Sequence, residues 1–412
     1  MRKSVALALL QLGFLAACGG GGYSGGMTPP PPPPVACTNT NASLTQQLQN
    51  PVTLFAADNN GVIVELPTIG SAGAATAQGS LVFGIGTQTN NGLGTATVLT
   101  EDPITGFVSA TYKSTVYAHG YLDSGSNGNF FTDTFMMCPS PNQVWYCPSS
   151  TMTETATLLG QNAMTATADF SVSNAQATFN ANPSFTAFAD LGAPTSDAQG
   201  FDLGLPFYFG RNVFTAIENR STPGGTGPYF AFSAPMPAMA TPAPPNVESV
   251  TVDAGPAALA TPAVNTAFVS VKVCAPGTST CQTIDHIEVD TGSIGLRLMS
   301  SVLTITLPAE KDASGHPLAE CLQFADGTSW GSLAVADIQL PSSGKTASNV
   351  NVHIIGDPTY PTPPSDCSGA AENTVTAFGA NGILGVGPFA QDCGTACVAA
   401  ATPIPATYYS CH

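Results

Sequence analysis

The sequence predicts an all-β protein built as two lobes of similar size. Three observations carry this expectation. Only 8% of the 412 residues are Asp, Glu, Lys or Arg, while Gly (42) and Pro (35) abound, the composition of a turn-rich extracellular β-protein. Short apolar runs such as Gly61-Val-Ile-Val-Glu-Leu66 and Gly79-Ser-Leu-Val-Phe-Gly-Ile-Gly86 alternate with Asn-Gly and Gly pairs, and no long amphipathic helical pattern accompanies them. A short motif of Asp, Thr or Ser, Gly and Ser occurs once in each half.

The chain opens with Arg2 and Lys3, then an apolar stretch from Val5 to Phe14 that is too short to span a bilayer. Leu15-Ala-Ala-Cys18 follows and resembles a bacterial lipobox. The resemblance implies a signal peptide over 1–18, with cleavage leaving Cys18 as the lipid-attachment residue. Several acyl chains on that residue would anchor the protein stably. Gly19 behind it resembles the outer-membrane choice, which implies the cell envelope as location. Residues 19–36 are Gly-rich and then run through Pro29 to Pro34. Such a segment buries no core and reads as a flexible piece ahead of a stiff spacer.

The first lobe is expected over 37–232, an Ala/Met/Pro-rich linker over 233–246, and the second lobe over 247–412. The net charge is −17 and no Lys or Arg cluster appears, which excludes nucleic acid as a partner, since phosphate binding needs a basic footprint. Setting Cys18 aside from 11 cysteines leaves an even number, suited to disulfides in an oxidising compartment. Cys138/Cys147 and Cys274/Cys281 read as loop staples. Cys393-Gly-Thr-Ala-Cys397 has no second Cys or His pair near it, so a metal site is not expected, and no cofactor is implied. The five His residues stand apart from any Ser or Cys elbow, which argues against a serine or cysteine hydrolase.

The chemistry lies in the repeated motif. In the second half it is Ile287-Glu-Val-Asp290-Thr-Gly-Ser293, continued by Ile-Gly-Leu-Arg-Leu298; in the first it is Gly120-Tyr-Leu-Asp123-Ser-Gly-Ser126, continued by Asn-Gly-Asn-Phe-Phe131. A strand would deliver each Asp to a buried point. Gly125 or Gly292 would let the backbone turn tightly and donate an N–H to the carboxylate. The hydroxyls of Ser124, Ser126, Thr291 and Ser293 would fix the loops. Two carboxyls held together cannot both ionise easily and share a proton, so one can act as base toward a water while the other acts as acid. Glu288, two residues before Asp290, reads as solvated or loop-bonded and not catalytic.

These motifs, in their order within each half, resemble pepsin-like aspartic peptidases. Phe324-Ala-Asp-Gly-Thr-Ser-Trp330 resembles the flap hairpin of the N-terminal lobe, with Phe324 or Trp330 where the family has a tyrosine. Ala380-Asn-Gly-Ile-Leu-Gly-Val-Gly387 is similar to the apolar segment beneath the catalytic loop. Phe201-Asp-Leu-Gly-Leu-Pro-Phe207 looks like its counterpart in the other lobe. The half resembling the C-terminal lobe comes first, so the chain resembles a circularly permuted form with double-ψ β-barrel-type lobes. That order implies that Cys37 and Cys411 lie close enough for a disulfide. Cys281-Gln-Thr-Ile-Asp-His286 with Val289-Asp-Thr-Gly-Ser293 also resembles a family of uncharacterised bacterial lipoproteins, in which the lobe order is reversed.

The resemblance implies an aspartic-type endopeptidase with Asp290 and Asp123 as the dyad and a peptide or protein as substrate, touching the membrane only through its lipid. The alternative is a non-catalytic binding or structural lipoprotein that keeps the same fold.

Overall fold

A computed structural model describes residues 36–234 and 245–412. The expected signal peptide, Cys18, nearly all of the tether and most of the expected linker lie outside these residues. The described chain is predominantly β, with barrel-like sheets. No helix among the described residues is long and apolar enough to cross a membrane.

One fifteen-stranded sheet runs through both halves. Its centre closes on itself. The strands Thr328–Gln339, Thr346–Ile355, Ile294–Met299, Gly382–Val386, Cys281–Asp290 and Ala267–Cys274 follow one another in hydrogen-bonding order, and the last pairs back onto the first through Val273 opposite Ile338. Closure removes the open edges that a flat sheet would leave. These strands are rich in Val, Ile and Leu, and Ile294–Met299 is buried along its whole length, as befits a strand covered on both faces.

From the barrel the sheet continues through Val247–Val252 into Ala77–Phe83, Gly61–Leu66, Arg211–Ala216 and Tyr229–Ser233, so strands of both halves share one hydrogen-bonded ladder. At the opposite end Cys37–Asn39 pairs antiparallel with Tyr408–Cys411. Residues 37–50 therefore pack against the second half: Asn50 N–H donates to the Ala390 carbonyl and Leu48 N–H to the Tyr408 hydroxyl, both at 2.9 Å.

A second sheet of seven strands uses only residues 108–203. Its outer strands Met152–Leu159 and Thr165–Val172 alternate between buried and exposed positions, because one face packs on the core and the other meets water. One continuous apolar core joins the halves, with Val64, Phe83, Leu122, Phe201, Val289 and Leu384 among its members.

All ten cysteines of the described residues form disulfides. Cys138–Cys147 and Cys274–Cys281 are the expected local staples, joined by Cys321–Cys367 and Cys393–Cys397. The long-range pair expected from the permuted resemblance, Cys37–Cys411, is formed, with Cα atoms 4.0 Å apart.

Candidate active site

Each half builds its Asp loop in the same way. The strand Thr115–Leu122 ends at Leu122, hands the chain to Asp123-Ser-Gly-Ser126 and resumes at Asn129–Phe130. Its parallel neighbour Gly200–Leu203 sets Leu203 opposite Leu122 and also pairs antiparallel with the resumed strand. In the other half Cys281–Asp290 carries the loop, Ile294–Met299 resumes, and Gly382–Val386 pairs parallel with the first and antiparallel with the second, with Leu384 opposite Val289. The two expected apolar segments thus lie beneath the two loops, each wedged between the strands that enter and leave its own loop.

The loops meet head to head. Ser124 N–H donates to Thr291 Oγ1 at 3.0 Å, and Thr291 Oγ1 donates to the Leu122 carbonyl at 3.1 Å. The mirror pair is Thr291 N–H to Ser124 Oγ at 3.1 Å and Ser124 Oγ to the Val289 carbonyl at 2.8 Å. The Tyr208 hydroxyl adds a contact to Thr291 Oγ1 at 3.0 Å. A hydroxyl that accepts from one backbone and donates to it as well clamps the facing loop, and two such hydroxyls make the clamp reciprocal.

Each carboxyl is then held by its own loop. Gly125 N–H donates to Asp123 Oδ1 at 2.8 Å and Ser126 Oγ lies 3.1 Å from Asp123 Oδ2. Gly292 N–H donates to Asp290 Oδ1 at 2.7 Å and Ser293 Oγ donates to Asp290 Oδ2 at 2.5 Å. Both Asp side chains are buried, at 0% and 1% exposure, and hydrogen-bond to each other. Glycine is required on both sides of the pair. A Cβ on Gly125 would stand 2.6 Å from Asp290 Oδ1, and one on Gly292 2.6 Å from the Asp123 carboxyl carbon. Burial, and then the charge of Asp123, push the Asp290 carboxyl up to about 6. Below about pH 6 the pair therefore shares one proton, which resides mainly on Asp290.

A cavity of about 100 Å³ opens beside the carboxyls, lined by Phe107, Tyr121, Leu122, Phe230, Ile294 and Phe389 together with the loop residues Asp123, Thr291 and Gly292. Phe107 arrives on the turn after Leu99–Thr100, where Asp102 Oδ1 accepts from the N–H groups of Ile104 (3.0 Å) and Thr105 (2.8 Å). Gly106 takes a positive φ of 74° in this turn, and a Cβ there would meet the Phe389 ring at 3.1 Å.

All eight residues expected at the two loops come together. Phe324 and Trp330 do not line this cavity. Phe324 packs on Phe378, and Trp330 is buried against Tyr409 with Nε1 donating to the Tyr360 carbonyl at 2.8 Å. Tyr121 belongs to the Gly120–Ser126 motif itself, while the other aromatic residues at the carboxyls come from segments whose sequence carries only a turn signal, Asp102-Pro-Ile-Thr-Gly106 before Phe107, or no signal at all, as for Phe230 and Phe389. Glu288 is buried, at 3% exposure, so its solvated reading does not hold. Among the described residues no three His, Cys, Asp or Glu side chains gather as metal ligands.

A family model matches residues 32–232 and 242–412, which together make up most of the chain. The chain belongs to DUF3443, a family of proteins of unknown function. No curated protein matches it. The two matched blocks of the DUF3443 model each contain one of the Asp loops, so both carboxyls lie inside the region that defines membership.

Proposed function

We propose that this DUF3443 protein is an aspartic-type endopeptidase of pepsin-like architecture with its lobes in permuted order. The observation that carries the reading is the contact of two buried carboxyls, each fixed by its own Gly N–H with a Ser hydroxyl oxygen beside it, on loops clamped by reciprocal hydroxyls. The permuted order is supported by the pairing of Cys37–Asn39 with Tyr408–Cys411. That pairing joins the half resembling the pepsin N-terminal lobe to the start of the half resembling the C-terminal one.

The chemistry follows from the shared proton. Asp123 takes a proton from a water as its oxygen attacks the peptide carbonyl carbon, while Asp290 gives its proton to the carbonyl oxygen. In the second step Asp123 passes its proton to the leaving nitrogen, the C–N bond breaks, and Asp290 recovers the hydroxyl proton. The aromatic and aliphatic walls of the cavity favour a bulky apolar side chain next to the scissile bond. The lipobox-like Leu15-Ala-Ala-Cys18 and the tether behind it support a place on the outer membrane.

The test uses the full chain in detergent with an unfolded protein as substrate, from about pH 3 to 7, a window around ordinary carboxyl values. Cleavage between bulky apolar residues is expected, strongest below about pH 6, inhibited by statine-type mimics and reduced at least ~1,000-fold in Asp123→Asn and Asp290→Asn. Cleavage that survives either substitution overturns the dyad. Saturable peptide binding without hydrolysis at any pH supports the binding-lipoprotein reading instead.

A further inference from the structure

The matching of the two halves fails at one buried position. Ser126 Oγ lies 3.1 Å from Asp123 Oδ2 and 2.6 Å from Asp202 Oδ2. Asp123, Ser126 and Asp202 are all 0–1% exposed. Asp202 belongs to Gly200–Leu203, one residue before Leu203 and opposite Tyr121. In the other half, the residue one before Leu384 is Ile383, opposite Glu288. Ile383 therefore holds the register position of Asp202, and on that side the Ser293 hydroxyl donates to Asp290. One half has put a carboxyl where the other has a hydrocarbon.

A serine hydroxyl has one hydrogen to give. With two carboxyls at Ser126, the shorter contact directs that hydrogen to Asp202. We infer that Asp202 is a positioning residue for the dyad, coupled to Asp123 through Ser126, and that it sets the upper end of the pH range over which the pair keeps its single proton. The inference rests on the dyad reading above.

The physical effect has a definite sign. Asp202 as a carboxylate draws the Ser126 hydrogen away from Asp123 and places a second negative charge beside it in a dry site. Both effects disfavour the charged form of Asp123, so the pair holds its proton to higher pH. Among the described residues, the titratable groups around Asp202 include Tyr121 from the neighbouring strand, Tyr208 from the short helix Leu205–Tyr208, and the two dyad carboxyls. Asp197 stands beyond Tyr121. The phenols are neutral over the relevant range, because burial and these same carboxylates push both of them up. Phe130, paired with Asp202 on the remaining side, does not titrate.

Asp202→Asn tests this in the full chain. Asparagine keeps the shape, carries no charge and can donate to Ser126 Oγ, returning the serine hydrogen to Asp123. The alkaline limb of the hydrolysis profile should move down by about one pH unit. A second readout needs no hydrolysis: the melting temperature of the Asp202→Asn and unsubstituted chains as a function of pH, each referred to the same chain carrying Asp290→Asn. The pH-linked loss of stability should shift down by the same amount. A folded Asp202→Asn protein with both midpoints unmoved overturns the inference. A shift in the melting profile without hydrolysis in any variant upholds the coupling while the peptidase reading falls. Should Asp202→Asn fail to fold, Asp202→Ile, which copies the other half, is expected to give the same downward shift, and an unmoved midpoint there overturns the inference equally.

Discussion

Asp290 and the two glycines beside the carboxyl pair bear on both the proposed chemistry and the stability. The Asp290 carboxyl rises from an ordinary unfolded value near 4 to about 6 in the folded protein. The folded state thus binds the proton more tightly. Its contribution to stability is fully present below the unfolded value and is lost as pH rises through about 6. Asp290→Asn holds no charge to lose. It should therefore raise the melting temperature at pH 7, by an amount corresponding to about 2–3 kcal/mol, and give no gain near pH 4. Calorimetry at the two pH values checks this, and a variant less stable than the parent at pH 7 would rule out a coupled pair. Gly292→Ala has the opposite sign. Its Cβ would press on the buried Asp123 carboxyl, which is held by the Gly125 N–H and cannot swing aside freely. A cost of about 1–3 kcal/mol in denaturant unfolding is expected, with a loss of hydrolysis larger than the loss of stability explains.

The strand Ile294–Met299 carries a feature that its apolar sequence hides. Arg297 is fully buried, with Nη2 2.8 Å from Glu320 Oε1 and 3.5 Å from Asp392 Oδ2. His353 Nδ1 lies 3.0 Å from Glu320 Oε2, close but not aligned as a hydrogen bond, and the Tyr408 hydroxyl donates to Asp392 Oδ1 at 2.6 Å. Burial would raise Glu320, yet the charge of Arg297 holds it well below the usual carboxylate range, while burial pushes His353 down and leaves it uncharged near neutral pH. Burial and the charge of Glu320 push Asp392 well above the carboxylate range. The network thus stays near neutral, with Arg297 and Glu320 as its ion pair. Arg297→Met strands Glu320 as a lone buried charge and should cost about 3–5 kcal/mol, whereas Arg297→Met with Glu320→Leu should recover most of that loss. Equal unfolding free energies for the single and double variants would refute this account. Local sequence makes the strand visible through its Ile, Leu and Met pattern. It says nothing of the network, whose five members come from five separate segments of the chain.

For the molecule as a whole, the Cys37–Cys411 disulfide and the proposed lipid attachment at Cys18 bear on how the globular part is held. The bridge spans 374 positions and covers the seam between Cys37–Asn39 and Tyr408–Cys411. Replacing both cysteines by serine should lower stability by about 2–5 kcal/mol. A linked Cys37–Cys411 peptide should appear in a non-reducing digest of the unmodified chain; free thiols at either position would exclude the bridge. Labelled palmitate should enter the full chain expressed in a bacterium and be lost in Cys18→Ala, while label retained in that variant would remove the proposed attachment site.

What was legible in the sequence is what local physics fixes. Alternation and turn residues announce strands, because a pleated chain shows its two faces in turn. Asp-Thr-Gly-Ser and Asp-Ser-Gly-Ser announce two carboxylate loops, because the Gly N–H, the Ser hydroxyl and the Asp they serve are within four residues of one another. The short cysteine pairs are local for the same reason, and the Cys37–Cys411 bridge was reachable only through the resemblance to a permuted chain. The aromatic wall of Phe107, Phe230 and Phe389 around the motif's own Tyr121, the third carboxyl at Asp202 and the partners of Arg297 were set by the packed molecule alone. Each depends on which distant strands become neighbours and in what register. A one-residue change in that register would turn Asp202 away from Ser126 and put Leu203 or Phe201 in its place, with no change in the local pattern of the strand.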